Sequence, residues 1–278
     1  MKKIDYNSNE YEKIYQECIK NPDSIKNLSI KTGIPKDTLS RHLKKRGFIT
    51  NTNGKFEINS NIFNIINTEK KAYWLGFIYA DGCVYTDQKN HLRFEIGLQK
   101  SDKSHLSKLK KFLKSKHKIR IKESSQSCQF GFTDKQICKD LIKLGCVQRK
   151  SLILTFPIKT QVPKNLISHF IRGYVDGDGS IYYANYPAEK YVLSILGTKE
   201  FLTQMMLEIG IVKTLYKNKR HLNNTYFIQY SVQKELLIVL DWLYKDANIY
   251  LKRKNETYLK FKKWIHEKES KKKELKQL

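Results

Sequence analysis

Two aspartates, Asp81 and Asp178, each close an apolar stretch and are each followed by glycine. The stretches are WLGFIYADG at 74–82 and IRGYVDGDG at 171–179. In both, glycine stands third (Gly76, Gly173), a small residue seventh (Ala80, Gly177), aspartate eighth and glycine ninth. A carboxylate at the C-terminal end of a helix faces the negative end of the helix dipole. A locally unfavourable feature that occurs twice invites a functional explanation. Positions three and seven lie one helical turn apart on one face, and small residues there let two helices approach backbone to backbone. Gly76, Ala80, Gly173 and Gly177 are therefore the expected helix-packing residues. If the two stretches pack about a pseudo-two-fold axis, Asp81 and Asp178 emerge side by side. Two neighbouring carboxylates repel unless a divalent cation joins them. Hard oxygen ligands suit Mg2+ or Mn2+, which also takes water and phosphate oxygens. The expected metal site is Asp81 and Asp178, with the adjoining Ala80 and Gly177, and its chemistry is metal-assisted phosphodiester hydrolysis. Asp176 fits less well. It precedes Asp178 by two, so it lies on another helix face, and its counterpart in the first stretch is Tyr79.

The remainder of the chain must supply a partner for that chemistry and a frame to hold it. Its 278 residues carry 53 Lys and Arg against 27 acids, a formal charge of +26. Such an excess points to a polyanion, above all nucleic acid. The five cysteines, at 18, 83, 128, 138 and 146, form no C-x-x-C, so a disulfide framework or zinc site is not expected and a reducing, intracellular compartment is. The longest apolar run, Ala72 to Ala80, is too short to span a membrane, and the N-terminus lacks the apolar core of a signal peptide.

Helical periodicity with breaks at Pro22, Gly33 and Gly47 predicts three short helices: Tyr11–Lys20, Ser24–Thr32 and Pro35–Lys45. Ser29, Gly33 and Leu39 keep the spacing of a helix-turn-helix, which this segment resembles. The second helix would then offer Lys36, Thr38, Ser40, Arg41 and Lys44 to a DNA groove. Residues 1–50 are read as this module and the Asn-rich 51–68 as a linker. Residues 69–160 and 161–268 then repeat one plan: helix, two strands, helix, two strands, helix. In the first copy Leu92, Phe94, Ile96 and Leu98 alternate with polar or small residues, the period of a half-buried strand. The fold class is α+β: two pseudo-symmetric αββαββα repeats with antiparallel sheets, plus a small all-α N-terminal domain. Each sheet buries one face under helices and leaves the other open. The open faces are predicted to carry Arg93, Glu95, Lys118, Arg120, Lys122, Lys217 and Gln229 toward DNA. A last helix, Leu251–Glu267, is expected to fray into a basic tail at 269–278.

The paired stretches, at matched places on a basic chain and each followed by the same strand–helix pattern, resemble the signature helices of LAGLIDADG homing endonucleases in their single-chain, two-repeat form. The resemblance covers about 200 residues. It implies a saddle of two sheets over the major groove of a long, near-asymmetric double-stranded DNA target, bound by a monomer. It also implies cleavage of both strands with short 3′ extensions, and metal-binding acids at Asp81 and Asp178. It further implies a polar active-site side chain at Gln99, where the second copy has Leu196, and a basic residue near the end of each repeat, here Lys150 and Lys254, beside the scissile phosphate. Two alternatives keep the fold without the cut: a DNA-binding regulator and an intron RNA maturase. Relatives that lose activity typically lose one or both acids, and this chain retains both.

Overall fold

The computed structural model describes residues 12–13, 16, 29–30, 32–45, 58–146, 148, 153–187, 189–218 and 224–277. The chain divides into two compact units, Met1–Glu57 and Ile58–Leu278.

In the first unit, helix α1 (Lys36–Lys45) starts directly after Pro35, whose carbonyl accepts from the Leu39 amide at 3.0 Å. Proline suits this start because its ring presets the helical φ. Gly33, immediately upstream, has φ +69°, a left-handed conformation that favours glycine. The Ser29 hydroxyl donates to the Ile34 carbonyl at 2.7 Å across that turn. Leu39 and Ile34 are buried, Lys36 and Arg41 are exposed, and Thr38 and Ser40 are half-buried. Most of the two helices expected over 11–32 lies outside the described residues, as do the side chain of Lys44 and residues 51–57 of the linker.

The second unit contains two repeats of one topology. The first runs α2 (Glu69–Asp81), β1 (Gly82–Thr86), β2 (Leu92–Gln99), α3 (Lys103–Phe112), β3 (Arg120–Lys122), β4 (Ser127–Phe132) and α4 (Lys135–Lys143). The second runs α5 (Ile167–Asp178), β5 (Gly179–Ala184), β6 (Lys190–Gly197), α6 (Lys199–Ile209), β7 (Tyr216–Lys217), β8 (Tyr226–Tyr230) and α7 (Gln233–Tyr244). Helix α8 (Lys252–Gln277) follows. The sheets are antiparallel with matching orders, β1-β2-β4-β3 and β5-β6-β8-β7. Side-chain caps start the helices where the sequence supplies an acceptor. Thr68 accepts from the Lys71 amide, Asp134 from Ile137 and Thr198 from Phe201. Phe94, Ile96, Phe130 and Phe132 line the helix-covered face of the first sheet; Leu193, Ile195, Ile228 and Tyr230 do so in the second.

Three elements differ from the sequence expectation. Residues 58–68 are not a spacer: Phe63 and Ile66 are buried in the core, and the Asn59 amide donates to the Leu113 carbonyl at 2.9 Å. The Asn-rich composition masked a few well-placed apolar residues. The last helix does not fray at 267 but continues through Gln277. Its final turns are built almost wholly of Lys and Glu, both strong helix formers, with Lys263–Glu267 one turn apart at 3.8 Å. Finally, Lys217 pairs with Tyr226, so it falls on the side of Ile228 and not on the open face of Gln229. The strand was placed correctly, but its phase was off by one residue, and in a strand that moves every side chain to the opposite face.

Candidate active site

Among the described elements α2 and α5 make the most extensive contact. Glycine is what permits it. A Cβ on Gly76 would lie 1.9 Å from the Phe170 carbonyl oxygen, and one on Gly173 would lie 2.0 Å from that of Tyr73. The two collisions are mirror counterparts: each glycine sits on the residue three before the other glycine, which is the signature of a two-fold contact. One turn further, a Cβ on Gly177 would lie 2.2 Å from the Ala80 Cβ and 3.1 Å from Asp81 Oδ2. The Asp81 carboxylate therefore reaches across to the residue just before Asp178. Both acids are the last residues of their helices, and Gly82 and Gly179 lead directly into β1 and β5.

Two further side chains respond to both acids. Tyr174 is buried and donates to the Leu196 carbonyl at 2.9 Å. Burial raises its phenol pKa well above the ordinary value, and the charges of Asp178 and Asp81 add to the rise. Lys254, from the first turn of α8, is 3% exposed. Its ammonium donates to the carbonyls of Val175 at 2.6 Å, Asp176 at 2.6 Å, Gly177 at 3.3 Å and Gly179 at 2.5 Å. It thus gathers the carbonyls at the end of α5 and the start of β5, where the helix dipole is negative. Burial lowers its pKa to about 8, against the opposing pull of Asp176, Asp81 and Asp178.

Beneath this cap lies a buried carboxylate. Asp176 accepts from the Tyr244 hydroxyl at 2.6 Å, the Tyr73 hydroxyl at 2.7 Å and the Leu251 amide at 2.7 Å. Burial raises its pKa, while Lys254 and these donors oppose the rise. The Tyr73 oxygen also meets His105 Nε2 at 2.9 Å. Tyr73 gives its proton to Asp176, so His105 must donate from Nε2. Burial holds the imidazole pKa down to about 3, which keeps the ring neutral. Arg172, 1% exposed, donates to the Ile249 and Leu243 carbonyls at 2.9 Å each and to Glu69 at 2.8 Å. Glu69 starts α2, so this ion pair links the two repeats. Burial would raise the Glu69 pKa; hydrogen bonds from Asn248 and the charge of Arg172 outweigh it, and the net shift is downward. Sequence reading missed this network, although a lone arginine in an apolar helix was its visible sign.

The other expected site residues are dispersed. Gln99 ends β2 and donates to Asp102 at 3.0 Å, an acid that also accepts from Arg253. Lys150 lies outside the described residues. Arg93 and Glu95 project from the open face of β2, and the register sets Arg120 with Gln129 and Lys122 with Ser127 on that same face. Lys118 is exposed just before β3. Gln229 lies on the open face of the second sheet and donates to the Tyr182 hydroxyl at 3.3 Å.

The donors at the two helix ends are hard carboxylates, which fit a small divalent cation. Among the described residues no group of three or more His, Cys, Asp or Glu is arranged to hold a metal.

A seam of glycines between two repeats, with an acid at the end of each helix, defines the LAGLIDADG class of protein. Two family models confirm it: "LAGLIDADG endonuclease" matches residues 74–144 and "LAGLIDADG-like domain" matches 165–276, between them more than half of the chain. The chain belongs to the LAGLIDADG family. Solved structures show the same fold at low identity. The I-LtrWI LAGLIDADG homing endonuclease bound to target DNA is 15% identical with a TM-score of 0.54, over 77% of this chain and 92% of that one. I-GzeII in complex with its DNA target is 15% identical with a TM-score of 0.53, over 78% and 92%. I-AabMI bound to uncleaved DNA is 15% identical with a TM-score of 0.52, over 72% and 91%. No curated protein matches the chain. Among the described residues no helix is long and apolar enough to cross a membrane.

Proposed function

We propose that the chain is a site-specific endonuclease that hydrolyses both strands of duplex DNA, using Mg2+ or Mn2+ held by Asp81 and Asp178. The observation that carries this reading is the glycine seam, which brings the end of each acid-bearing helix against the other and sets both carboxylates on shared neighbours, Lys254 and Tyr174. When bound, the cation lowers the pKa of water and stabilises charge on the leaving oxygen. Lys254 holds the end of α5 by neutralising its carbonyls, so that Asp178 does not swing away from Asp81. Gln99 orients water at the edge of the site. The open sheet faces carry Arg93, Glu95, Arg120, Lys122 and Gln229 to base edges in the major groove, and Lys118 to the phosphate backbone. Residues 1–50 add contacts to flanking DNA through Lys36, Thr38, Ser40, Arg41 and Lys44. The excess of lysine and arginine makes binding steeply salt-dependent. The protein acts as a monomer, because one chain supplies both acids.

Incubation of the protein and Mg2+ with a randomised duplex library, followed by mapping of the cut ends, tests this. The expected product is a double-strand break with short 3′ extensions at one long sequence. Asp81→Asn and Asp178→Asn are each expected to bind that sequence and to lose at least ~100-fold in cleavage rate. Binding without any cut by the parent protein would identify a regulator instead. Deletion of residues 1–50 is expected to weaken affinity for the selected target more than it slows the chemical step, measured in a single turnover.

A further inference from the structure

The two open sheet faces are not chemically alike. Register pairing allows a row-by-row comparison across the strands. In the first sheet the row just past Ile96, the partner of Gly82, reads Gly97, Gln129, Arg120. The equivalent row of the second sheet is Leu196, Phe227, Tyr216. A glycine, an amide and a guanidinium are replaced by three apolar or aromatic side chains. Leu196 is 39% exposed and Tyr216 48%, so the row faces solvent, and Tyr216 stacks on Phe227 with ring centroids 5.3 Å apart. Arg93 in turn corresponds to Val192, which is buried and pairs with a Tyr182 that is 39% exposed. Between these apolar places runs a polar row, Ser180, Ser194 and Gln229.

The apolar row lies next to the acids. Strand β6 runs past Gly179, whose partner is Ile195, so Leu196 flanks the end of α5, and its carbonyl accepts from Tyr174. An apolar face on a strongly cationic chain, crossed by a polar row and carrying Lys190 at its rim, suits a partner that is polyanionic yet locally apolar. In the DNA major groove the apolar feature is the C5-methyl of thymine. A second protein surface would match the apolar row but not the excess of 26 positive charges.

We infer that the second repeat reads its half of the DNA target through thymine methyl groups packed on Leu196, Phe227 and Tyr216, at the base pairs nearest the cut, whereas the first repeat reads its half by hydrogen bonds. This rests on the nuclease reading above and specifies the bases one side of that site accepts. Gln229, in the polar row, is placed to pair with the adenine edge of an A·T pair.

Deoxyuridine in place of thymidine removes the methyl and leaves base pairing intact. The full-length protein is tested on its selected target with thymine replaced by uracil in one half-site at a time. Affinity is expected to fall about fourfold per methyl lost in one half only, within the few base pairs flanking the cut. F227Q and Y216R, which restore the polar row of the first sheet, are expected to erase that penalty while leaving the response of the other half unchanged. Equal tolerance of uracil in both halves, with cutting intact, overturns this inference and leaves the nuclease reading standing. A penalty that persists in both variants also overturns it. Self-association that is lost in Y216K, measured by sedimentation without DNA, would assign the row to a second copy of the chain. Absence of any duplex binding would remove both readings together.

Discussion

Helices α2 and α5 occupy equivalent places, but their second faces are built differently. Where α2 has Leu75 and Tyr79, α5 has Arg172 and Asp176. In the first repeat the Tyr79 hydroxyl donates to the Leu144 carbonyl after α4. In the second, Arg172 makes the corresponding connection, to the Leu243 carbonyl at the end of α7, and adds bonds to Ile249 and Glu69. Asp176 then takes Tyr73, Tyr244 and Leu251 as donors beneath Lys254. The first repeat holds its acid-bearing helix mainly by apolar packing and the second by a buried charge network. Only the glycine seam is shared. The two-fold relation is therefore imposed at the contact between helices, while each helix is free to be anchored by its own means.

Breaking the seam is expected to have the largest effect. Gly76→Val or Gly173→Val sets side-chain carbons against backbone oxygens that cannot withdraw, and should destabilise the fold by at least ~3 kcal/mol in urea denaturation. Similar losses at both positions would support the two-fold contact; a tolerated change at either would break it. Next come the two anchors. Lys254→Met leaves Asp176 as a buried charge without its cation and the α5 carbonyls uncapped, a loss of about 3–5 kcal/mol. Tyr79→Phe removes one hydrogen bond from a buried carbonyl, a loss of about 1–2 kcal/mol. Equal losses from the two variants would erase the contrast between the repeats. The last effect expected is a pH dependence, absent at neutral pH and growing only below 6.5. His105 stays neutral in the folded state down to about 3, whereas an unfolded histidine titrates near its ordinary value of 6.5. Its contribution is thus fully present above 6.5 and is lost as the pH falls toward 3, since only the unfolded chain takes up the proton. His105→Phe should flatten that part of the stability–pH curve, read by thermal melts across the window.

The repeats, their succession of helices and strands, and the spacing of small residues at the seam were legible because they rest on local periodicity and on two matched stretches; the strand order was not read. Register was less so. Lys217 was misassigned because a two-residue strand gives no alternation from which to read its phase. The buried network was not legible at all. Its members Tyr73, His105, Asp176, Tyr244 and Lys254 are far apart in sequence, and no spacing rule connects them. Lys254 drew notice as a basic residue near the end of a repeat, but its hold on the α5 carbonyls depends on where α8 begins. The apolar row of the second sheet was not legible, because rows across three strands need the pairing register; sequence spacing matches Leu196 with Gln99, whereas the register sets it at the place of Gly97.

The central claim is that the acids of both repeats serve one site. Cleavage rates of Asp81→Asn, Asp178→Asn and the double variant on the selected duplex, with each strand labelled separately, test it most directly. A shared site predicts that either single change slows both strands nearly as much as the double change. A single variant that still nicks one strand at the parent rate would contradict it.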